Sequence, residues 1–149
     1  MKILVDADSC PKPARGLIIR AAIRRGLRAV FAANRPIPDI SGRGIAMELC
    51  PPGEGSADDR IMALAVPGDM AITRDIPLAS RLVAASVHVL DDRGRLYTLE
   101  NIRERLSLRN FTVGLAENGL ALQRNAVYGK RELKSFADSL DRLLTRLDQ

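Results

Sequence analysis

Short aliphatic runs alternate with segments of helical periodicity along the first ninety residues of the chain. Compact apolar runs predict strands at residues 3–6, 27–33, 45–50, 70–73 and 87–90. The segments between them predict helices, with a loop at residues 34–44. Strands that alternate with helices are typical of a mostly parallel sheet covered on both faces. The predicted fold class is therefore three-layer α/β/α, with residues 3–6 as an interior strand because their apolar run does not alternate.

Start and stop signals bound the predicted helices. Pro11 and Pro13 favour the start of the first helix, and Gly26 is a candidate C-cap. Residues 56–59, Ser-Ala-Asp-Asp, resemble a capping box for the second helix, which Pro67-Gly68 ends. The third helix is predicted at residues 77–85.

Strand signals vanish from Thr98 onward. A helix is predicted at residues 98–108, an irregular stretch at 111–131 and an amphipathic helix at 135–147, with Ser135 and Asp138 as its capping box. Its apolar stripe consists of Phe136, Leu140, Leu143, Leu144 and Leu147. We expect one domain over residues 1–149, with segment 98–149 packed on it. A helix that forms a homodimer is the alternative for the stripe.

Composition narrows the class of protein. The chain has 149 residues and two cysteines, and no apolar run approaches the roughly 18–20 residues of a membrane span. The N-terminus turns acidic at Asp6, which is unlike a signal peptide. Aromatic residues make up 3% of the chain, which disfavours a base-stacking platform. We therefore expect a cytoplasmic protein that does not engage a membrane.

Charge is divided along the chain. Residues 12–43 contain eight Lys and Arg against Asp39 alone, a net charge of +7, whereas residues 48–92 contain eight acids against three Arg, a net charge of −5. A basic segment beside an acidic one fits a polyanion held next to a metal-binding pocket. Solvated helix faces and helix caps are the alternative explanation.

Acidic residues follow the predicted strands or begin the predicted helices. They are Asp6, Asp8, Asp58, Asp59, Asp75, Asp91 and Asp92. Because the carboxyl ends of parallel strands share one edge, these acids are expected to gather there. Crowded carboxylates repel unless a cation neutralises them, and oxygen ligands favour Mg²⁺ or Mn²⁺. We predict that Asp6, Asp8, Asp58 and Asp75 bind such a metal, whereas Asp58 and Asp59 could simply cap a helix and Asp91-Asp92 could be a turn.

Polar and basic residues near the acids are candidates for binding substrate. Ser9, Lys12 and Arg15 lie at the start of the first helix, where a phosphate could bind. Arg74 precedes Asp75 and could either pair with the carboxylates or hold a substrate phosphate. Cys10 also lies at this helix start, which could lower the pKa of its thiol, although a structural thiol is the simpler interpretation.

Several motifs resemble a known family. VDADSCP at the N-terminus, GSADDRI, PGDMAITRDIPLA, RGRLYT with ENI, and FADSLDRLL near the C-terminus resemble the YaiI/YqxD family of uncharacterised bacterial proteins. That family is grouped with the PIN-like nucleases, which have a parallel sheet and an acidic metal site. The resemblance implies that Asp6, Asp58 and Asp75 match the first three acids of a PIN-type cluster, with Asp8 beside Asp6. The chain has Ile76-Pro77 where many PIN proteins place a fourth acid.

Three functions are compatible with these observations. The first is a metal-dependent nuclease on RNA, with Asp6, Asp58 and Asp75 as catalytic residues and Mg²⁺ or Mn²⁺ as cofactor. The second is a non-catalytic nucleic-acid-binding or regulatory protein. The third is a phosphatase of the haloacid dehalogenase type with Asp6 as nucleophile, which is disfavoured because no lysine occurs between Lys12 and Lys130.

Overall fold

The computed structural model describes residues 1–117 and 127–148. The strands within these ranges are β1 (Lys2–Asp6), β2 (Arg28–Ala33), β3 (Ile45–Leu49), β4 (Met70–Ile72), β5 (His88–Leu90) and β6 (Leu96–Tyr97). The helices are α1 (Lys12–Arg25), α2 (Ser56–Leu64), α3 (Ile76–Ala84), α4 (Leu99–Glu117) and α5 (Lys130–Leu147). None of these helices is both long and apolar enough to cross a lipid bilayer.

The six strands form one sheet in the order β3-β2-β1-β4-β5-β6. β1 to β5 are parallel to their neighbours, and only β6 pairs antiparallel, with β5. β1 lies between β2 and β4, and its residues Ile3, Leu4 and Val5 are fully buried. The mostly parallel sheet and the interior position of the first strand are thus confirmed.

Helices cover both faces of the sheet. Ile3 and Val5 belong to an apolar cluster that also includes residues of α1 and α5. Leu4 belongs to a second cluster, which includes residues of α2 and α3 together with Ile102 of α4. Alternate residues of β1 therefore contribute to different layers, as the strand geometry requires. This arrangement is the predicted three-layer α/β/α fold.

α5 packs against this chain through the predicted apolar stripe. Phe136, Leu140, Leu143 and Leu144 are buried in the cluster that contains α1 and one face of β1. At the edge of this contact the Arg25 guanidinium donates to Asp141 Oδ1 at 2.8 Å. The stripe is therefore occupied within the chain and does not itself indicate a dimer helix.

Two helix boundaries differ from the predicted ones. α4 continues to Glu117, through part of the stretch predicted to be irregular, while residues 118–126 of that stretch lie outside the described residues. Leu108, Phe111 and Val113 of α4 are exposed, so no buried stripe marks this half of the helix. α5 begins at Lys130 rather than at residue 135, because a charged first turn with no apolar period precedes the stripe.

Both predicted capping boxes are wrong, and each serine holds a loop instead. Ser56 Oγ donates to Asn34 Oδ1 at 2.8 Å, and Gly55 occupies the N-cap position of α2 without a side-chain cap. Ser135 Oγ donates to the carbonyl of Arg93 at 3.0 Å. The sequence pattern also does not predict β6, since a two-residue strand is too short to show a period of its own.

The docking of α5 gives a stability prediction. Phe136→Ala removes a fully buried ring and should lower the free energy of unfolding by about 3–5 kcal/mol, measured by denaturant unfolding. The exposed Arg131, on the same helix, is the control, and Arg131→Ala should change it by no more than about 0.5 kcal/mol. A decrease in Phe136→Ala as small as that of the control would contradict the packing described for α5.

Candidate active site

Four predicted acids line a single depression at the carboxyl edge of the sheet. Asp6 ends β1, Asp8 lies in the turn that follows, Asp58 lies in the first turn of α2, and Asp75 is the N-cap of α3 after β4. All four line a depression of about 650 Å³, together with Glu54. The parallel topology therefore brings together carboxylates that are far apart in the sequence.

Asp6 is the most buried of the four carboxylates. Its side chain is 6% exposed, and its Oδ2 accepts hydrogen bonds from Thr73 Oγ1 at 2.9 Å and from Ser9 Oγ at 3.1 Å. Burial raises the pKa of Asp6 above its ordinary value, and the charges of Asp75 and Asp8 raise it further, whereas the two hydrogen bonds oppose the rise. Without a cation, the folded protein therefore destabilises the ionised form of Asp6 relative to the same carboxylate in water.

Thr73 connects Asp6 to Asp75. The Thr73 hydroxyl donates to Asp6 and accepts a hydrogen bond from the backbone N–H of Asp75 at 3.0 Å. Asp75 Oδ1 in turn accepts from the N–H of Leu78 at 3.0 Å, which caps α3. Thr73 is 2% exposed and holds two acids in fixed relation, a role that the sequence reasoning missed. Its signal was the hydroxyl directly before Arg74-Asp75, at the end of an apolar strand.

The Asp58 carboxylate has no hydrogen bond or ion pair within the described residues. Burial, followed by the negative charges of Asp75 and Asp6, raises the pKa of Asp58 to about 6. The neighbouring Asp59 points elsewhere: it is exposed and lies 3.5 Å from the Arg81 guanidinium. The first turn of α2 thus presents one carboxylate to the depression and one to solvent.

Asp8 differs from the other three acids because both of its oxygens are engaged. Oδ2 accepts from the backbone N–H of Asn34 at 2.9 Å, and Oδ1 accepts from Arg35 Nε at 3.3 Å. These contacts fix the loop that leaves β2. Metal binding by Asp8 would require it to share or release one of these bonds.

The structure brings two of the four predicted substrate-binding residues to the depression. Ser9 and Arg74 line it, and Arg74 also pairs with Asp92 at its rim. Lys12 is outside the depression, and Arg15 donates to the carbonyl of Cys10 at 2.6 Å instead of facing the acids.

Arg109 of α4 also lines the depression, and sequence reasoning missed it. The helix was predicted to end at Leu108, one residue earlier. No apolar period carries the helix over Arg109, so the sequence offered no signal for its position.

The basic stretch of residues 12–43 is distributed over several surfaces. None of its eight Lys and Arg residues lines the acidic depression. Arg20 and Arg24 line a separate groove between α1 and α5, and Arg25 pairs with Asp141. Three of the eight basic residues thus lie toward α5, whereas Arg35 pairs with Asp8, which lines the acidic depression. The phosphate-facing surface stays a prediction.

Burial decides the state of Cys10. Its thiol is 5% exposed, and burial, with the charge of Asp92 as the next cause, raises the pKa of Cys10 to about 12. The neutral thiol is inert at physiological pH, so the helix start does not activate it.

The donor set of the depression fits a hard divalent cation. Asp58 and the second oxygens of Asp6 and Asp75 have no hydrogen-bond partner within the described residues. No three Asp, Glu, His or Cys side chains in residues 1–117 and 127–148 are close enough to form a metal group as they stand. Mg²⁺ is commonly held by one or two carboxylates with water and substrate phosphate, so a closed cage is not required.

Fold and site together define a three-layer α/β protein with an acidic depression at the carboxyl edge of its sheet. Residues 4–146 match the uncharacterized BCR, YaiI/YqxD family. The chain belongs to this family, as the motifs of the sequence predict.

Bacterial relatives match the chain over almost its whole length. A UPF0178 protein of Treponema pallidum is 48% identical over 147 residues, which are 99% of this chain and 83% of the relative. A UPF0178 protein of Syntrophobacter fumaroxidans is 48% identical and that of Pseudomonas entomophila 42%, covering 95% and 98% of those relatives. No solved structure matches the chain.

The raised pKa of Asp58 predicts how stability depends on pH in the presence of EDTA. Between pH 3.8 and about 6 the folded protein retains a proton on Asp58 that the unfolded chain has released, so this group lowers stability as pH rises through that window. Asp58→Asn should therefore have a higher melting temperature than the wild type at neutral pH. Below pH 3.8 the two proteins should have the same melting temperature.

Asp59→Asn is the matched control, because it removes the same charge from the same helical turn but at an exposed position. It should not raise the melting temperature at neutral pH. Equal shifts in the two variants would show that the effect comes from helix charge and not from crowding in the depression.

Proposed function

We propose that this protein is a metal-dependent nuclease that hydrolyses phosphodiester bonds of RNA. The catalytic residues are Asp6, Asp58 and Asp75, and the cofactor is Mg²⁺ or Mn²⁺. The similarity of the acid pattern to PIN-like nucleases supports this interpretation. Such an enzyme would act on RNA in the bacterial cytoplasm.

The observation that carries the proposal is the convergence of unpaired carboxylate oxygens in one depression. Five carboxylates and only two guanidinium groups, those of Arg74 and Arg109, line it among the described residues. An anionic substrate would be repelled by this excess unless a cation entered with it. Burial and mutual repulsion raise the pKa of both Asp6 and Asp58. A bound cation would therefore stabilise the ionised form of both carboxylates.

Each residue has a role that follows from its position. Asp6, Asp58 and Asp75 would hold the cation through their unengaged oxygens, and Asp8 would support the loop after β2 or add a further oxygen. The bound ion would supply Lewis-acid stabilisation of the phosphoryl group and a more acidic water. Arg74 and Arg109, which line the depression, would bind non-bridging phosphate oxygens, for which the guanidinium fork is suited.

A phosphatase of the haloacid dehalogenase type receives no support from the depression. No lysine lines it among the described residues, and Asp6 Oδ2 is held by Ser9 and Thr73. A carboxylate that is buried and hydrogen-bonded in this way is better placed to bind a cation than to attack a phosphoryl group.

The first prediction concerns metal binding. Asp6→Asn keeps an oxygen for Thr73 and Ser9 but removes the buried charge, so in EDTA the variant should melt a few degrees above the wild type. Millimolar Mn²⁺ should stabilise the wild type, by about 2.7 kcal/mol at a hundredfold excess over Kd, but not the variant. Asp138→Asn, on α5 away from the depression, should behave like the wild type in both conditions. A wild type that Mn²⁺ and Mg²⁺ leave unshifted would refute the metal site.

The second prediction concerns turnover. With Mn²⁺ or Mg²⁺ the wild type should cleave single-stranded RNA, and EDTA should stop cleavage. Asp6→Asn and Asp75→Asn should each lower the rate at least about a hundredfold, since removing a ligand exceeds the effect of removing a supporting residue. Gel analysis of end-labelled RNA measures this, with Asp138→Asn as control. Metal binding without cleavage of any RNA or DNA would favour the non-catalytic alternative.

A further inference from the structure

A rigid turn carrying two arginines lies beside the acidic depression. This turn, residues 91–95, connects β5 to β6. Asp91 Oδ1 accepts the backbone N–H groups of Arg93 and Arg95, each at 2.9 Å, and the N–H of Asp91 donates to the carbonyl of Arg95 at 3.0 Å. The Asp91 carboxylate is thus occupied in shaping the turn, and the two arginine side chains project from a fixed backbone.

The C-terminal part of the chain holds this turn from behind. Tyr128 Oη donates to the carbonyl of Asp92 at 2.7 Å, and Ser135 Oγ donates to that of Arg93. Gly94 has a φ of 89° and lies so close to α5 that a Cβ there would be 2.6 Å from the carbonyl oxygen of Ser135. The turn therefore admits little movement, and its position is set by α5.

The turn borders a second depression, of about 270 Å³, that adjoins the acidic one. Arg74, Arg93 and Arg95 line it together with the carboxylates of Asp91 and Asp92, so cationic groups exceed anionic ones by one, and Arg74 lines both depressions. Arg95 is exposed and forms no ion pair within the described residues. Three guanidinium groups thus border a space that is joined to the acidic depression through one of them.

Asp92 holds Arg74 at the boundary between the two depressions. The Asp92 carboxylate is 2% exposed and pairs with the Arg74 guanidinium, while its other oxygen, Oδ1, is buried without a hydrogen-bond partner in the described part of the chain. Replacing Asp92 by a neutral residue would release Arg74. The pair therefore positions Arg74 while 42% of its side chain remains exposed.

We propose that the second depression is a phosphate subsite that holds a flanking phosphate of a single nucleic-acid strand whose reacting phosphodiester lies in the acidic depression. The inference rests on the proposed function and specifies its substrate as a polynucleotide rather than a mononucleotide. Arg74 bridges the two phosphates, and Arg93 and Arg95 bind the flanking one. Guanidinium groups on a preorganised turn lose little entropy when they bind phosphate.

Length-dependent binding follows from this arrangement. A single-stranded decanucleotide can occupy both depressions, whereas a dinucleotide has too few phosphates to span them. Removing Arg93 and Arg95 should therefore weaken binding of the longer strand selectively. The dependence on salt should also become shallower, by about 0.7 in the logarithmic slope for each phosphate of a single strand that the variant no longer neutralises.

The experiment is fluorescence anisotropy with a labelled oligouridine decanucleotide and the matching dinucleotide, with Ca²⁺ in place of Mg²⁺ or Mn²⁺ as the hard cation for the acidic depression. Gel analysis checks that both probes stay intact during the measurement. Arg93→Gln/Arg95→Gln should bind the decanucleotide about tenfold more weakly than the wild type, with a shallower salt slope and unchanged dinucleotide affinity. Arg95→Gln alone should show part of this effect, and it leaves the contact of Arg93 with the Tyr128 ring in place. Thermal melts of the variants test whether the fold is kept.

Arg28→Gln is the matched control, since Arg28 is an exposed arginine at the amino end of β2, at the opposite edge of the sheet. It should bind both probes like the wild type. The proposal is overturned if the double variant binds the decanucleotide like the wild type, if Arg28→Gln weakens binding as much, or if the wild type binds neither probe. Arginine-dependent binding without metal-dependent cleavage would instead refute the nuclease and leave the subsite standing.

Discussion

The burial of a carboxylate at the end of the central strand is the constraint on which the site depends. Asp6 terminates a strand paired on both sides, so its side chain emerges in the interior of the sheet edge, where water is scarce. The buried carboxylate accepts hydrogen bonds from the hydroxyl groups of Ser9 and Thr73 and does not pair with a basic side chain among the described residues. A buried carboxylate that has hydrogen-bond donors but no cationic partner would still be stabilised by a positive charge nearby. A buried carboxylate without a cationic partner distinguishes this edge of the sheet from an ordinary polar surface.

The remaining acids are arranged around Asp6 in three different ways. Asp75 is tied to Asp6 through Thr73 and is fixed by its capping of α3. Asp58 is positioned by α2, and its carboxylate has no hydrogen bond or ion pair among the described residues. Asp8 is committed to the loop after β2. The acidic edge thus combines a pair hydrogen-bonded through Thr73, Asp6 and Asp75, with one carboxylate that no other described residue engages.

Much of the fold and of the acidic site could be predicted because both depend on local patterns. The aliphatic run of β1 indicated an interior strand, and the parallel order placed Asp6, Asp58 and Asp75 at one edge. Features set by tertiary contact were not predictable. Ser56 and Ser135 are residues that often cap helices, but here their hydroxyl groups donate to Asn34 and to the carbonyl of Arg93 in loops. Arg109 reaches the site from an exposed helical segment without periodicity, and Arg20, Arg24 and Arg25 lie toward α5 because α1 packs against that helix.

The position of α5 determines when, during synthesis of the chain, the structure around the acidic edge can be completed. α5 is synthesised after every other described element, yet it covers one face of the central strand and sets the turn between β5 and β6. While a ribosome still holds α5, the face of the sheet that α5 shares with α1 is only partly covered, and the turn lacks its contacts with α5. The surroundings of the acidic edge are complete only after α5 has left the ribosome.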